Sequence, residues 1–256
     1  MRLSETELVQ LAARFLWPFL RIGALFVAIP IFSSHSVPMR VRTLLAFAIT
    51  AVIAPTLPSM PQVEIFSIPG LLVGVQQVLI GLLFGLVLNL VFAAIVFGGQ
   101  SIAYNMGLGF ASLIDPQTGV QVPVIAQLYL ILATLVFLAV DGHLLAIQLL
   151  VDSFRAVPVD LAGLGRDRLW SVAIWSSRLF AAGVLLSLPI IAALLLINLG
   201  FGVASRSAPQ LNIFSVGFPV SLLVGLLLIW VSLPKVLNLF VSFLDEGYRM
   251  TGQMLQ

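Results

Sequence analysis

Long apolar runs separated by short polar stretches dominate the chain. Six such runs cover residues 15–33, 43–58, 71–98, 124–140, 179–201 and 211–233. Apolar runs of about this length with few or no charges are typical of helices embedded in a bilayer. The pattern therefore predicts an all-α, polytopic helical membrane protein of about six long apolar helices, with the last two forming a C-terminal helical hairpin.

Local signals set the predicted helix boundaries. Ser4 and Glu7 have the spacing of a capping box, which predicts a helix start at this point. The Gly-rich stretch from Gly98 to Pro123 is predicted to be non-helical. Residues 143–151 either extend the preceding apolar run or form a half-helix after Asp141, and we favour the extension.

The only long polar stretch, residues 152–178, divides the chain. It holds four Arg and three Asp residues and is predicted to be a surface loop with short helical pieces. We therefore expect one domain with a front part, 1–151, this connecting loop, and a hairpin and tail, 179–256. The tail after Pro234 is amphipathic and is expected to lie outside the hydrocarbon.

Composition excludes a soluble protein. Hydrophobic residues make up 61% of the chain and charged residues 9%, against about 25% charged residues in soluble domains. Fifty consecutive residues between Glu64 and Asp115 carry no charge. The net charge of +2 is too small for a nucleic-acid-binding face, and the absence of cysteine excludes disulfides.

The basic residues are distributed unequally over the two sides of six predicted spans. Eight lie on the side of both termini, namely Arg2, Arg14, Arg155, Arg166, Arg168, Arg178, Lys235 and Arg249. Three lie on the other side, namely Arg40, Arg42 and Arg206. The positive-inside rule therefore predicts that both termini are cytoplasmic.

Residues suited to catalysis are scarce. His35 and His143 are the only histidines, and neither has a second ligand at metal-binding spacing. Lys235 is the sole lysine and follows a proline, so the chain holds no phosphate-binding P-loop. We predict that the protein is not an enzyme and that it needs no cofactor or metal.

Six polar residues interrupt the apolar runs. They are Arg21, Gln76, Gln77, Asn89, Gln127 and Asn198. A charge at the centre of a membrane helix costs about 2.5–3.5 kcal/mol on insertion scales, so these polar side chains are expected to be buried against protein or to face water. Either they hold the helices together by hydrogen bonds, or they line a wet conduit.

Small residues four apart indicate close helix contacts. Three pairs have this spacing, namely Gly70 with Gly74, Gly81 with Gly85, and Ser221 with Gly225. Such pairs allow two helix backbones to approach each other.

The stretch from Gly107 to Pro123 combines glycines, polar residues and large apolar side chains. Asp115 before Pro116 favours a turn. Irregular backbone at membrane depth must be buried in protein or line a cavity, so the stretch is either an extramembrane loop or a constriction. Its candidate plug residues are Leu108, Phe110, Leu113, Ile114, Asp115 and Pro116.

Residues 188–229 closely resemble the FliR family of flagellar type III export proteins. The most specific part is Arg206 followed by the residues 208–214, APQLNIF. The candidate partner-contact residues are Arg206, Pro209, Gln210 and Asn212, with the alternative that Pro209 and Asn212 only shape a turn and a helix start. A second match is the GLGFASLIDPQTGVQVPV stretch. The sequence GFPVSLLVGL after the signature resembles the flagellar branch of the family more than the virulence branch.

This resemblance implies a subunit of an export gate in the bacterial inner membrane, within the flagellar basal body. It implies a complex with the FliP and FliQ proteins, association with FlhB and FlhA, and passage of unfolded flagellar proteins. It also implies a FliP-like front part, a FliQ-like hairpin, and a loop at Phe110 to Gly119 that plugs the pore. The alternative is a small secondary transporter, against which the fifty uncharged residues count, since a transporter needs intramembrane ions.

Overall fold

The computed structural model describes residues 5–33, 37–57, 63–109, 123–160, 163–207 and 216–255. These segments are helical over most of their length and contain no β-strand. Their helices are α1 (Glu5–Ala28), α2 (Pro30–Ser33), α3 (Met39–Ile53), a 3-10 helix (Ala54–Thr56), α4 (Ile68–Asn105), α5 (Val124–Ala139), α6 (Gly142–Ala156), α7 (Arg166–Trp175), α8 (Arg178–Ser207) and α9 (Phe218–Gln253). The predicted all-α class is confirmed.

Several helices are suited to crossing a membrane. Within the described segments, four stretches are long and apolar enough to do so: Met39–Thr56, Ile68–Asn105, Arg166–Arg206 and Phe218–Gln253. A fifth crossing would combine α5 and α6 across the break between them. The predicted number of six is therefore not confirmed. The predicted hairpin turn lies mostly outside the described residues, so the hairpin also stays a prediction.

Helix α4 is longer than predicted. It continues through Gly98 and Gly99 to Asn105, so the prediction that the chain is non-helical from Gly98 is wrong for these eight residues. The glycines do not end the helix because they are sites of close contact. A Cβ atom added at Gly99 would lie 2.7 Å from the Cα atom of Ala126 on α5. With 38 residues at about 1.5 Å each, α4 exceeds a hydrocarbon core of about 30 Å.

A break separates α5 from α6, so the favoured extension of the 124–140 run through 143–151 is wrong. Asp141 lies in the left-handed region with a φ of 55°. Asp is one of the few residue types with a side chain that tolerate this conformation. The carbonyl of Asp141 then accepts hydrogen bonds from the N–H groups of Leu144 and Leu145, which begins α6 as a new helix.

Helix α9 continues through Pro234 to Gln253. The amphipathic tail after Pro234 therefore continues the last apolar helix as far as Gln253. A proline inside a helix removes one intrahelical hydrogen bond. Buried side chains on both sides of it, at Ile229, Val236 and Phe240, hold this helix against its neighbours and offset that loss.

The chain forms two compact units. The first comprises Met1–Leu90, Asp141–Ser176 and Asp245–Gln256, and the second comprises Val91–Val140 and Ser177–Leu244.

In the first unit, α1 packs closely along the first half of α4. A Cβ atom added at Gly81 would overlap the backbone oxygen of Arg21 and lie 2.8 Å from the Cβ atom of Ala24. One added at Gly85 would overlap the Cβ atom of Ala28. The spacing of Gly81 and Gly85 therefore reports a true helix contact, as predicted, and α1 is the partner helix.

Apolar side chains complete the first unit. Its core contains the buried residues Ala13, Trp17, Leu57, Val73, Phe154 and Val159. Helix α3 adds Ala46 and Thr50, which are buried, and Phe47, whose ring centroid lies 4.8 Å from that of Phe15 on α1. Most of the remaining surface of α3 is exposed, including large apolar side chains.

The second unit is organised around aromatic and glycine contacts. Phe92 on α4 contacts Phe137 on α5 and Phe240 on α9, with ring centroids 5.5 Å and 5.3 Å apart. Gly183 on α8 lies against α4, where an added Cβ atom would be 2.5 Å from a ring atom of Phe97. Aromatic edge-to-face pairs and close backbone approach thus join α4, α5, α8 and α9.

Gly81→Ala is expected to destabilise the protein, because the new methyl group overlaps the backbone of α1 and the two helices must separate. Overpacking of this kind costs about 1–3 kcal/mol. Thermal unfolding of the detergent-solubilised protein measures the loss. Gly23→Ala on α1 is the matched control, because a Cβ atom there meets nothing within 4 Å. Equal melting temperatures for the two variants would contradict a close α1–α4 contact.

Candidate functional site

The segment 110–122 lies outside the described residues, but both of its ends are described. At its start, α4 finishes in a hydrogen-bonded C-cap. The N–H of Gly107 donates to the carbonyl of Tyr104 at 3.1 Å, and the N–H of Leu108 donates to the carbonyl of Ala103 at 3.0 Å. Gly107 has a φ of +83°. This is the Schellman pattern, in which a left-handed glycine ends the helix and turns the chain away.

Helix α9 contacts the end of α4 at two positions. The ring of Phe218 lies over Gly107, where an added Cβ atom would be 2.8 Å and 2.9 Å from its Cδ2 and Cε2 atoms. Gly225, two turns further along α9, lies against the fully buried Met106, where an added Cβ atom would be 2.7 Å from Cγ and Cε. We call Met106, Gly107, Phe218 and Gly225 the α4–α9 contact.

The far end of the segment is held on α5. The carbonyl of Pro123, the residue before α5, accepts a hydrogen bond from the N–H of Gln127 at 3.1 Å. Ala126, in the first turn of α5, is fully buried against Gly99 of α4. The chain therefore leaves α4 and returns to α5 at positions that are set by close packing within the second unit.

A buried cation lies in the first unit. Arg21 on α1 has no exposed surface. Its Nε donates to Gln77 Oε1 at 2.8 Å, its Nη1 to Ser153 Oγ at 2.9 Å, and its Nη2 to the carbonyl of Val157 at 3.0 Å. The guanidinium carbon also lies 4.0 Å from the centre of the Phe154 ring. One side chain thus joins α1, α4 and α6.

The acceptors of Arg21 are all neutral groups. Burying a charge costs several kcal/mol, so these contacts must offset that cost. Three features help. Val157 is the C-cap residue of α6, so its carbonyl stands at the negative end of the helix dipole. The Ser153 hydroxyl donates to the carbonyl of Leu150 at 2.5 Å, which leaves its lone pairs to the guanidinium. The Phe154 ring supplies a cation–π contact.

Asn89 on α4 caps the end of α1. Its Nδ2 donates to the carbonyl of Ala28 at 3.1 Å. Ala28 is the last residue of α1, and a helix that ends there leaves carbonyls without intrahelical donors. The amide therefore has a structural role in the bend between α1 and α2.

Comparison with known proteins shows the family to which the chain belongs. The model of the family described as "Bacterial export proteins, family 1" matches residues 12–247. The flagellar biosynthetic protein FliR of Pectobacterium carotovorum subsp. carotovorum is 41% identical over 252 residues, which are 98% of this chain and 96% of that protein. The chain belongs to the FliR family of bacterial export proteins.

Two further FliR relatives show how far the similarity extends. The flagellar biosynthetic protein FliR of Escherichia coli strain K12 is 41% identical over 94% of this chain and 92% of its own length. That of Bacillus subtilis strain 168 is 33% identical over 90% of each chain. The resemblance inferred from residues 188–229 is therefore confirmed over nearly the whole chain.

The structure describes only part of the candidate plug and of the candidate partner-contact segment of this FliR-family chain. Of the candidate plug residues, Leu108 is half-buried directly after Gly107, and Phe110, Leu113, Ile114, Asp115 and Pro116 lie outside the described residues. Of the candidate partner residues, Arg206 is exposed near the end of α8, and Pro209, Gln210 and Asn212 lie outside the described residues. The roles predicted for them stay predictions.

The six polar residues that interrupt the apolar runs differ in position. Arg21 and Gln77 are fully buried in one network, and Gln76 and Asn89 are half-buried. Gln127 and Asn198 are exposed in the described part of the chain. Asn198 accepts a hydrogen bond from Ser221 on α9 at 2.9 Å.

Three residues of the Arg21 network were not identified from the sequence. Ser153, Phe154 and Val157 lie more than 130 positions away from Arg21. No local motif links them. The usable signal was indirect: a buried arginine requires several acceptors, and the hydroxyl and free carbonyls at the polar end of α6 are such acceptors.

Gln77→Leu is expected to destabilise the protein by about 1–3 kcal/mol, because the Arg21 Nε–H is left buried without an acceptor. In an Arg21→Met background the same change is expected to cost much less, since the charge is gone. Thermal unfolding of the four proteins of this cycle measures the coupling. Gln127→Leu, at an exposed position, is the control. Additive effects of the Gln77 and Arg21 changes would contradict the network.

Proposed function

We propose that the chain is a subunit of the flagellar type III export gate and forms part of its protein-conducting pore. In this proposal the loop from Phe110 to Gly119 forms the plug that closes the pore at rest. Apolar side chains such as Phe110 and Ile114 exclude water and so block ions. The export substrates are unfolded flagellar proteins, which pass from the cytoplasm outward.

The proposed assembly is a complex with the FliP and FliQ proteins in the bacterial inner membrane, at the flagellar basal body, with FlhB and FlhA associated. Residues 1–151 are its FliP-like part. Residues 179–256, with α8 and α9 as a helical hairpin, are its FliQ-like part. The names of the relatives, all flagellar biosynthetic proteins, support the flagellar assignment.

The outer surface of the helices supports assembly in a membrane. Large apolar side chains are more than two-thirds exposed on several helices, including Met39 and Val52 on α3, Ile68 on α4, Val124 on α5, Leu196 on α8, and Trp230 on α9. Surfaces of this kind require lipid or other subunits. Membrane lipid and partner helices are therefore both expected around this chain.

One observation carries the plug assignment. The segment 110–122 leaves α4 through a hydrogen-bonded cap at Gly107 and re-enters the helices where Ala126 packs on Gly99. A segment that closes a narrow passage needs fixed ends, because its side chains have to reach a defined place.

Replacement of residues 110–119 by a Gly-Ser stretch of equal length tests the proposal. The expected result is ion leak across the inner membrane from a normally assembled complex. Leak is measured as inner-membrane conductance, and assembly as co-purification with the FliP and FliQ proteins. Flagellar protein secretion is followed in the same cells.

The matched control replaces residues 58–62, a second proline-containing connection, by a Gly-Ser stretch. This change is expected to leave the inner membrane impermeable to ions. The plug assignment would be refuted by an assembled complex that shows no ion leak and secretes normally after the 110–119 replacement. Purification of the chain as a stable monomer that transports a solute would instead favour a transporter.

A further inference from the structure

We propose that α7 binds anionic phospholipid through three exposed residues, Arg166, Trp170 and Ile174. These residues are four positions apart, so they share one face of the helix. Trp170 is 66% exposed, Ile174 is 59% exposed, and Arg166 is exposed as well. We call these three residues the α7 stripe. The proposal concerns the membrane around the chain and does not depend on the pore or on its plug.

The other face of α7 is packed against protein. Val172 and Trp175, three positions apart on α7, are both buried. Helix α7 belongs with α6 to the first unit, so the α7 stripe is an outward face of that unit. An indole ring and an aliphatic side chain exposed together on a fixed helix require lipid or another protein to cover them.

The order of the side chains along the α7 stripe favours lipid. The cation comes first, the indole follows about one turn later, and the aliphatic side chain follows after another turn. Only residues 176–178 then separate the end of α7 from the apolar run 179–201. Tryptophan is enriched at the membrane–water interface, and arginine extends its charged end toward the headgroups. Side chains that become less polar toward a predicted span match the change from headgroups to acyl chains.

The charge at the start of the α7 stripe is not neutralised by α7 itself. No acidic residue stands three or four positions from Arg166, which are the spacings that pair side chains along a helix. Asp167 is displaced by about 100° around the helix axis. Arg168, in contrast, lines a cavity together with Asp160. A lipid phosphate complements Arg166, because the guanidinium presents a planar pair of N–H donors to its oxygens.

The predicted topology places the α7 stripe on the anionic side of the membrane. The stretch 152–178 carries four arginines, and the positive-inside rule predicts that it is cytoplasmic. A basic side chain near an anionic lipid surface gains roughly fivefold in affinity. The expected occupant is therefore a phospholipid with a net negative headgroup, for which phosphatidylglycerol is the probe.

Quenching of a fluorophore by brominated lipids tests the proposal. The chain has no cysteine, so Ala173→Cys introduces a single site for a bimane label at an exposed position beside Ile174. The full-length chain is placed in phosphatidylcholine nanodiscs that contain the same small fraction of either brominated phosphatidylcholine or brominated phosphatidylglycerol. Both lipids are expected to quench the label. The local concentration of phosphatidylglycerol, read from the quenching at low salt, is expected to be roughly fivefold higher.

Three variants divide the contributions of the α7 stripe. Arg166→Gln is expected to remove the preference for phosphatidylglycerol and to leave quenching by phosphatidylcholine unchanged. Arg166→Lys is expected to keep much of the preference, because the charge remains. Trp170→Ala is expected to reduce quenching by both lipids, because the indole that holds the helix at the interface is gone.

Arg40→Gln is the matched control. Arg40 is an exposed arginine in the first turn of α3, and an exposed leucine, Leu44, stands four positions later in place of a tryptophan. This variant loses the same charge as Arg166→Gln. It is expected to leave the preference at position 173 unchanged.

The outcomes separate lipid from a protein partner. No quenching by either lipid overturns the proposal, and so does a preference for phosphatidylglycerol that survives Arg166→Gln. The measurement is repeated on the complex with the FliP and FliQ proteins, where quenching is expected to persist. Its loss on assembly would show that a partner protein covers the α7 stripe, which also overturns the proposal. None of these results changes the outcome of the 110–119 replacement.

Discussion

Close approach between helix backbones is the constraint on which the rest of the structure depends. Side chains in an apolar environment gain little from contact with one another, because lipid is equally apolar. Specific packing then requires surfaces that fit. Helix α4 supplies them along its length, with Gly81 and Gly85 against α1 in the first unit, and Gly98 and Gly99 against α8 and α5 in the second. Each glycine removes a side chain where another helix has to pass.

Buried polar groups add direction to this packing. The Arg21 network joins helices that are far apart in the sequence, and each of its hydrogen bonds requires a defined rotation of α1, α4 and α6. A hydrophobic residue at position 21 would fill space without specifying these rotations. The cost of burying the charge offsets much of its attraction to the neutral acceptors. A buried cation of this kind therefore contributes a defined geometry more than net stabilisation.

The fold class and the family were predictable from the sequence, because long apolar runs and the residues around Arg206 are local features. Whether a helix continues or ends at Gly98, Asp141 and Pro234 was not predictable from the sequence. Glycine, Asp-Gly and proline are each compatible with a continuing or an ending helix, and tertiary contacts decide between the two. The Gly99–Ala126 contact continues α4, whereas the left-handed Asp141 ends α5. Arg21 was identifiable as costly to bury, but its acceptors Ser153 and Val157 were not, because nothing in the local sequence connects them.

The cap that Asn89 places on Ala28 bears on which changes in chain length the fold tolerates. The two residues are 61 positions apart, and the connections 34–36 and 58–62 lie between them. Because the end of α1 is defined by a side chain of another helix, it does not depend on the number of residues in those connections. Insertions and deletions there can accumulate between relatives while the bend from α1 into α2 keeps its place.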